Sequence, residues 1–156
     1  MHACMSLSHP GAACTTDRWQ CRRCARWFCT LHLPEEGELC EDCFVKHMME
    51  RTAALAEVND RFRQSGIGGQ VFVTDGVISR GERFVNAALG VVRRFEEFTP
   101  ANDPWHEHDF GSFDLEGTKL FWKIDYYDAA MEYGSNDPAN PDITTRVLTI
   151  MLAEEF

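Results

Sequence analysis

All seven cysteines of this 156-residue chain lie between Cys4 and Cys43, and the residues that follow contain none. Four of them form two pairs of equal spacing, Cys21-x2-Cys24 and Cys40-x2-Cys43, with fifteen residues between the pairs. A C-x2-C turn presents two thiolates to one ion, and two such turns complete a tetrahedron. The spacing therefore predicts a closed zinc site, in which the ion stabilises the fold and does not catalyse.

The other three cysteines and one histidine supply a second set of four ligands. Cys29-x2-His32 lies between the two pairs, while Cys4 and Cys14 lie upstream of them. This interleaved order predicts a cross-brace in which the second set holds a second ion, so we expect one to two structural zinc ions. His9 is the alternative to either upstream cysteine as the ligand that completes the second site.

The ligand order and spacing over residues 21–43 resemble the B-box and AN1-type cross-braced zinc fingers, whereas the upstream pair departs from both families. An odd number of clustered thiols suits a metal better than a disulfide framework.

The chain also lacks the pattern of a signal peptide and any apolar stretch long enough to span a bilayer. We therefore expect a cytoplasmic protein that does not associate with membranes.

The formal net charge is −10, and residues 95–142 carry twelve acids against two lysines. Such a segment is repelled by phosphate backbones, so we expect a protein partner and no direct binding of nucleic acid. The cysteine-rich part is less one-sided, because it combines aromatic and basic residues: Trp19, Trp27, Arg18, Arg22, Arg23 and Arg26. These residues leave a DNA-contacting finger open as an alternative.

Periodicity predicts an α+β chain in three parts: a zinc finger over 1–43, a connecting helix over 44–64 and an α+β domain over 65–156. Helical spacing of apolar residues supports the connecting helix. Alternating residues predict strands over 70–74, 112–115 and 120–127, and β-branched content favours a strand at 145–153. The domain should combine a mostly antiparallel sheet with one main packed helix, capped by Ser79 and ending near Glu97.

Several uncommon segments occur in order at 59–63, 102–111, 121–128 and 145–155. Together they closely resemble the bacterial domain-of-unknown-function family 3768, over about residues 58–156. Members of this family occur mostly on plasmids and other mobile elements, often near anti-restriction genes. The resemblance therefore implies a role in overcoming host defence, but it implies no particular activity.

The acidic segment and the implied context together predict a non-catalytic protein that inhibits a host defence system of the anti-CRISPR or anti-restriction type. Its acidic surface would occupy a basic nucleic-acid-binding channel, with aromatic side chains as anchors. The residues that we expect to bind the partner are Trp105, Glu107, Asp109, Phe110, Asp114 and Tyr133.

Two alternatives remain open. His106, His108 and Asp109 lie close enough in sequence to centre a metal-assisted hydrolase, because histidines and carboxylates can bind a metal or share a proton. Against this, Asn-Asp-Pro loops form Asx turns for purely structural reasons. We therefore assign no catalytic residue. The other alternative is a transcriptional regulator that contacts DNA through its zinc finger.

Overall fold

The computed structural model describes residues 18–29 and 39–156, with only the backbone described at Arg18 and Cys29. The predicted ligands of the second zinc site therefore lie outside the described residues: Cys4, Cys14, His32, the side chain of Cys29 and the alternative His9. The chain divides into two compact units, Met1–Glu50 and Arg51–Phe156.

The first unit contains a two-stranded antiparallel sheet made by β1 (Arg18–Gln20) and β2 (Trp27–Cys29). Its core consists of Cys21, Phe28, Cys40 and Cys43, and Trp19 stacks on Phe28 with ring centroids 5.3 Å apart. Helix α1 (Glu41–Ser65) begins in this unit and ends in the second. Its first turn carries two acidic residues, which the positive end of the helix dipole favours.

The second unit is built on a four-stranded sheet with the order β3-β6-β5-β4. Its strands are β3 (Gly69–Val73), β4 (Phe110–Leu115), β5 (Thr118–Tyr127) and β6 (Thr145–Leu152). β3 runs parallel to β6, whereas the other two pairings are antiparallel. The α+β class, the mostly antiparallel sheet and the strand at the end of the chain are thus confirmed.

Two helices follow β3, and here the local prediction was partly wrong. Asp75 and Gly76, which follow the predicted strand, begin a one-turn helix, α2 (Asp75–Ile78). Ser79 does not cap the next helix, because it ends α2 and its hydroxyl donates to the Gly76 carbonyl (2.7 Å). The main helix α3 (Glu82–Arg93) is preceded by Gly81 and ends four residues before the predicted Glu97.

The core of the second unit lies between one face of the sheet and the helices. Its buried residues are Phe62, Val77, Phe84, Ala88, Val92, Phe95, Leu120, Trp122, Ile124, Leu148, Ile150 and Leu152. Gly111 is required for this packing, since an added Cβ would lie 2.4 Å from Trp122 Nε1. In the described ranges, no helix combines the length and apolar character that a membrane span needs.

Candidate functional site

The four paired cysteines converge in the first unit. Their Sγ atoms all lie within 4.8 Å of one another, and those of Cys24 and Cys40 are 3.7 Å apart. A tetrahedron with zinc–sulfur bonds of about 2.3 Å has sulfur–sulfur edges of about 3.8 Å. The thiols therefore have the number, chemistry and spacing to hold a metal ion such as zinc.

The backbone around Cys21 folds into a tight knuckle that aims N–H groups at sulfur. Cys21 N–H donates to the Arg26 carbonyl (2.9 Å), and Ala25 N–H donates to the Cys21 carbonyl (2.9 Å). Ala25 has a left-handed backbone with φ of 56°. Cys40 N–H donates to Cys21 Sγ (3.3 Å), which links the two C-x2-C turns directly. This geometry favours thiolates, since N–H donors stabilise the charged form of sulfur.

The four thiols do not ionise equally. Burial raises the pKa of Cys21, but backbone donors outweigh it and bring the pKa down to about 6. A hydrogen bond from the Arg26 guanidinium lowers the pKa of Cys24. Burial raises the pKa of Cys40, and it raises that of Cys43 to about 12. The pKa is thus lowered for two thiols and raised for the other two, and a bound divalent cation would favour the thiolate form of all four.

Two arginines of this unit have partners inside it. Arg26 donates to Asp42 (2.7 Å) and, through Nε, to Cys24 Sγ (3.3 Å). Arg23 donates to both carboxylate oxygens of Glu50 at 2.8 Å. The carboxylates of Asp42 and Glu50 therefore compensate the positive charges of Arg26 and Arg23. The Cys24 thiol, one of the four that could hold a metal, also accepts a hydrogen bond from Arg26.

In the second unit, the Trp105 loop, residues 99–109, precedes β4 and is held by a buried carboxylate. Asp103 is 2% exposed, and its Oδ1 accepts hydrogen bonds from the N–H groups of Glu107 (2.8 Å) and His108 (3.3 Å). At the start of the loop, Thr99 N–H donates to Asn102 Oδ1 (2.7 Å). These bonds from side chain to backbone fix the loop, but none of the three has the two-residue spacing of the Asx turn that the Asn-Asp-Pro sequence predicted.

His108 fastens the end of the loop to helix α1. Its Nδ1 lies 2.8 Å from Asp60 Oδ2, and its ring stacks on Phe98 with centroids 3.8 Å apart and planes 2° from parallel. Its Nε2 is 3.7 Å from Asp103 Oδ2, which is too long for a hydrogen bond. Asp60 also accepts from Arg63 (2.8 Å), whose side chain is only 1% exposed.

A buried amide on α1 completes the support. Asn59 is fully buried, and its Nδ2 donates to the Glu107 carbonyl (2.8 Å) and to the Tyr126 hydroxyl (2.6 Å). Its Oδ1 accepts from Arg146 Nε (3.1 Å), and Arg146 also donates to the Pro138 carbonyl. One side chain thus joins the loop, β5 and β6.

The loop keeps two unfavourable features. Burial, reinforced by repulsion from neighbouring carboxylates, raises the pKa of Glu107 and of Asp109 above the ordinary values. His106 and His108 both have left-handed backbones, with φ of 57° and 55°. Each such residue costs about 1 kcal/mol or more, and this kind of strain is concentrated at functional sites. The loop is therefore the feature of the second unit that most suggests a site.

The predicted partner-binding residues lie in different settings. Trp105 and Tyr133 are 76% and 73% exposed, and Asp114 is exposed on β4. Glu107 and Asp109 are half-buried in the Trp105 loop. Phe110 packs against two other rings, those of Phe121 and Phe156.

The histidines of the loop do not form a metal group with Asp109. Among the described residues, the four cysteines are the only set of three or more potential ligands that come close together. His106 is exposed, while His108 bonds to Asp60.

Our sequence reasoning did not predict that these residues support the loop: Asn59, Asp60, Arg63, Tyr126 and Arg146. The sequence did contain an indication of this network. Asn59, Phe62 and Arg63 follow the apolar Leu55 by four, seven and eight residues, so all four lie on one helix face. Polar residues on an apolar face require buried partners. Those partners are far away in sequence, so the pattern alone could not name them.

Comparison with known proteins matches this chain to a family model. The family model described as a protein of unknown function, DUF3768, matches residues 73–155. A search of curated proteins and a search of solved structures found no significant similarity. The match contains the whole Trp105 loop and runs from the last residue of β3 to three residues past the end of β6. Because it covers more than half of the chain, this protein belongs to the DUF3768 family.

Proposed function

We propose that this protein is a non-catalytic accessory protein of mobile elements, which binds and inhibits a host defence complex of the CRISPR or restriction type. The observation that carries the proposal is the exposure of Trp105, 76%, on a loop whose backbone is fixed by Asp103 and Asn59. A rigidly held, exposed aromatic residue loses little entropy on binding, so it is well suited to anchor a partner.

Charge supports a basic partner. The second unit carries eighteen acids against ten bases, and Glu107 and Asp109 stay close together although burial makes their ionisation unfavourable. Retaining both carboxylates at a cost is understandable if a cationic surface meets them. The channel of a nucleic-acid-binding defence complex is such a surface.

The first unit supplies structure in this proposal. Four cysteines would hold one zinc ion, with a second ion held by the other ligand set, and the metal replaces a core that so short a segment lacks. Two guanidinium groups of this unit already have carboxylate partners, Arg23 with Glu50 and Arg26 with Asp42. This pairing argues against a finger that contacts DNA.

The test is an infection assay in hosts that carry a restriction or a CRISPR system. Expression of the protein should raise the plating efficiency of a targeted phage at least about tenfold, and Trp105→Ala should abolish the effect. Trp27→Ala is the matched control, since Trp27 is also exposed (48%) but lies outside the loop. Unchanged plating with both system types would refute the proposal.

A hydrolase is the second candidate, and one observation favours it. The 2.8 Å contact between Asp60 and His108 Nδ1 is the arrangement by which a carboxylate orients an imidazole for general base catalysis. Titration of the purified protein into the inhibited system separates the two. An end point near one protein per complex supports binding, whereas full inhibition at about one hundredth of that ratio requires turnover.

A further inference from the structure

The outer edge of β3 lacks the protection that edge strands usually have. β3 pairs only with β6, and no backbone hydrogen bond joins its other edge to any described residue. Natural edge strands are commonly protected by charged residues, proline or bulges, but Gly-Gln-Val-Phe-Val contains no charge and no proline. Val71 and Phe72 are 40% and 50% exposed, and the preceding Ile67 is 80% exposed. This edge is therefore open to another strand.

A cleft of about 380 Å³ is lined by residues of β3, its neighbour β6, α3 and the end of α1. This volume is within the range of pockets that bind side chains or small ligands. Its apolar walls are made by Val71, Val73, Leu89, Val92 and Leu148. An aliphatic side chain placed there would lose contact with water on several sides.

The charge of the cleft is opposite to that of the unit around it. Among the residues that the structure describes, Arg63 and Arg93 line the cleft and no carboxylate does, although acids outnumber bases eighteen to ten over residues 51–156. Arg63 is already paired with Asp60. Arg93, at the end of α3, is exposed and has no carboxylate partner in the ranges that the structure describes. One uncompensated positive charge therefore lies at the rim of an apolar cleft.

We propose that an extended segment of a partner protein adds to β3 as a further strand. An aliphatic side chain of that segment enters the cleft, and a carboxylate near it pairs with Arg93. Main-chain hydrogen bonds give such a complex its affinity, and the cleft gives it specificity. A second copy of β3 fits less well, because Gly-Gln-Val-Phe-Val offers no acid to Arg93. None of the residues that line the cleft belongs to the Trp105 loop, so the inference goes beyond the proposed function.

The experiment uses the zinc-loaded full chain, labelled with ¹⁵N, and the synthetic peptide acetyl-Ser-Val-Glu-Val-Glu-Ser-amide. Amide resonances of Gln70, Phe72 and Leu89 should shift and saturate, with a Kd of about 1 mM or tighter. The same peptide with lysine in place of glutamate should bind at least about fivefold more weakly. A peptide with N-methylated backbone should not bind, because it cannot donate strand hydrogen bonds.

Two variants test the role of charge. Arg93→Gln should remove most of the preference for glutamate over lysine, whereas Arg94→Gln, its exposed neighbour outside the cleft, should leave the preference intact. Absence of saturable shifts in β3 at about ten times the expected Kd would overturn the proposal. So would equal binding of the two peptides, or light scattering that shows a dimer whose formation blocks the peptide.

Discussion

Replacing Asn59 by alanine is the substitution whose cost is best defined by the structure. The side chain is fully buried and contacts three partners that come from the loop, β5 and β6. Alanine removes its amide without offering any group in return. The Glu107 carbonyl and Arg146 Nε would then lose the partner that Asn59 provides, whereas the half-buried Tyr126 hydroxyl can turn to water.

Each buried polar group left without a partner costs about 1–3 kcal/mol, and the charged Arg146 lies toward the upper end of that range. Two such groups give a loss of about 4 kcal/mol. Domains are stable by only about 5–15 kcal/mol, so Asn59→Ala should remove a large part of the stability of the second unit. The midpoint of thermal unfolding should fall by roughly 10–20 °C.

Differential scanning calorimetry of the full chain measures this directly. The matched control is Asn136→Ala, the same chemical change at an exposed position, which should cost no more than about 0.5 kcal/mol. If Asn59→Ala melts within about 3 °C of Asn136→Ala, the buried amide does not hold the loop and the strands together as described. The support inferred for the Trp105 loop would then be wrong as well.

Three further predictions follow from the two sites. Elemental analysis should find one to two zinc ions per chain, and Cys24→Ser or Cys40→Ser should lower the content by at least one; less than one in the unchanged protein contradicts the site. Burial raises the pKa of Asp109 in the folded protein. The protonated carboxyl therefore contributes stability at low pH, and this contribution is lost as the pH rises through the raised pKa. Asp109→Asn should therefore raise the melting temperature at pH 7, by an amount that shrinks toward pH 4, while Asp114→Asn has little effect. Burial also raises the pKa of Tyr126 above its ordinary value of 10.0, so stability should fall above pH 10 and fall less in Tyr126→Phe, measured by urea denaturation.

The elements that sequence reasoning found are those whose information is local. In β5, Leu120, Trp122, Ile124 and Tyr126 alternate onto one face, and Glu116-Gly117 marks the turn before the strand, so this part of the sheet could be predicted from local sequence. The two C-x2-C pairs likewise predict their own convergence. The Ser79 prediction failed because α2 uses that serine first: a pattern that suits the start of one helix also suits the end of the preceding one.

The support of the Trp105 loop was beyond local reasoning for a different reason. His108 and Asp60 are forty-eight residues apart, and Asn59 and Arg146 eighty-seven, so only the packing of α1 on the sheet brings them together. In the sequence, both sides of this network are visible only as polar residues within apolar elements. Burying either side without its hydrogen-bond partners would cost free energy of folding. The network holds in place a loop that contains two strained histidines and two closely spaced carboxylates. A chain selected only for stability would replace Asp109 and the left-handed His106 with less costly residues. Their presence on a rigid loop that exposes Trp105 supports our proposal that this loop binds a partner.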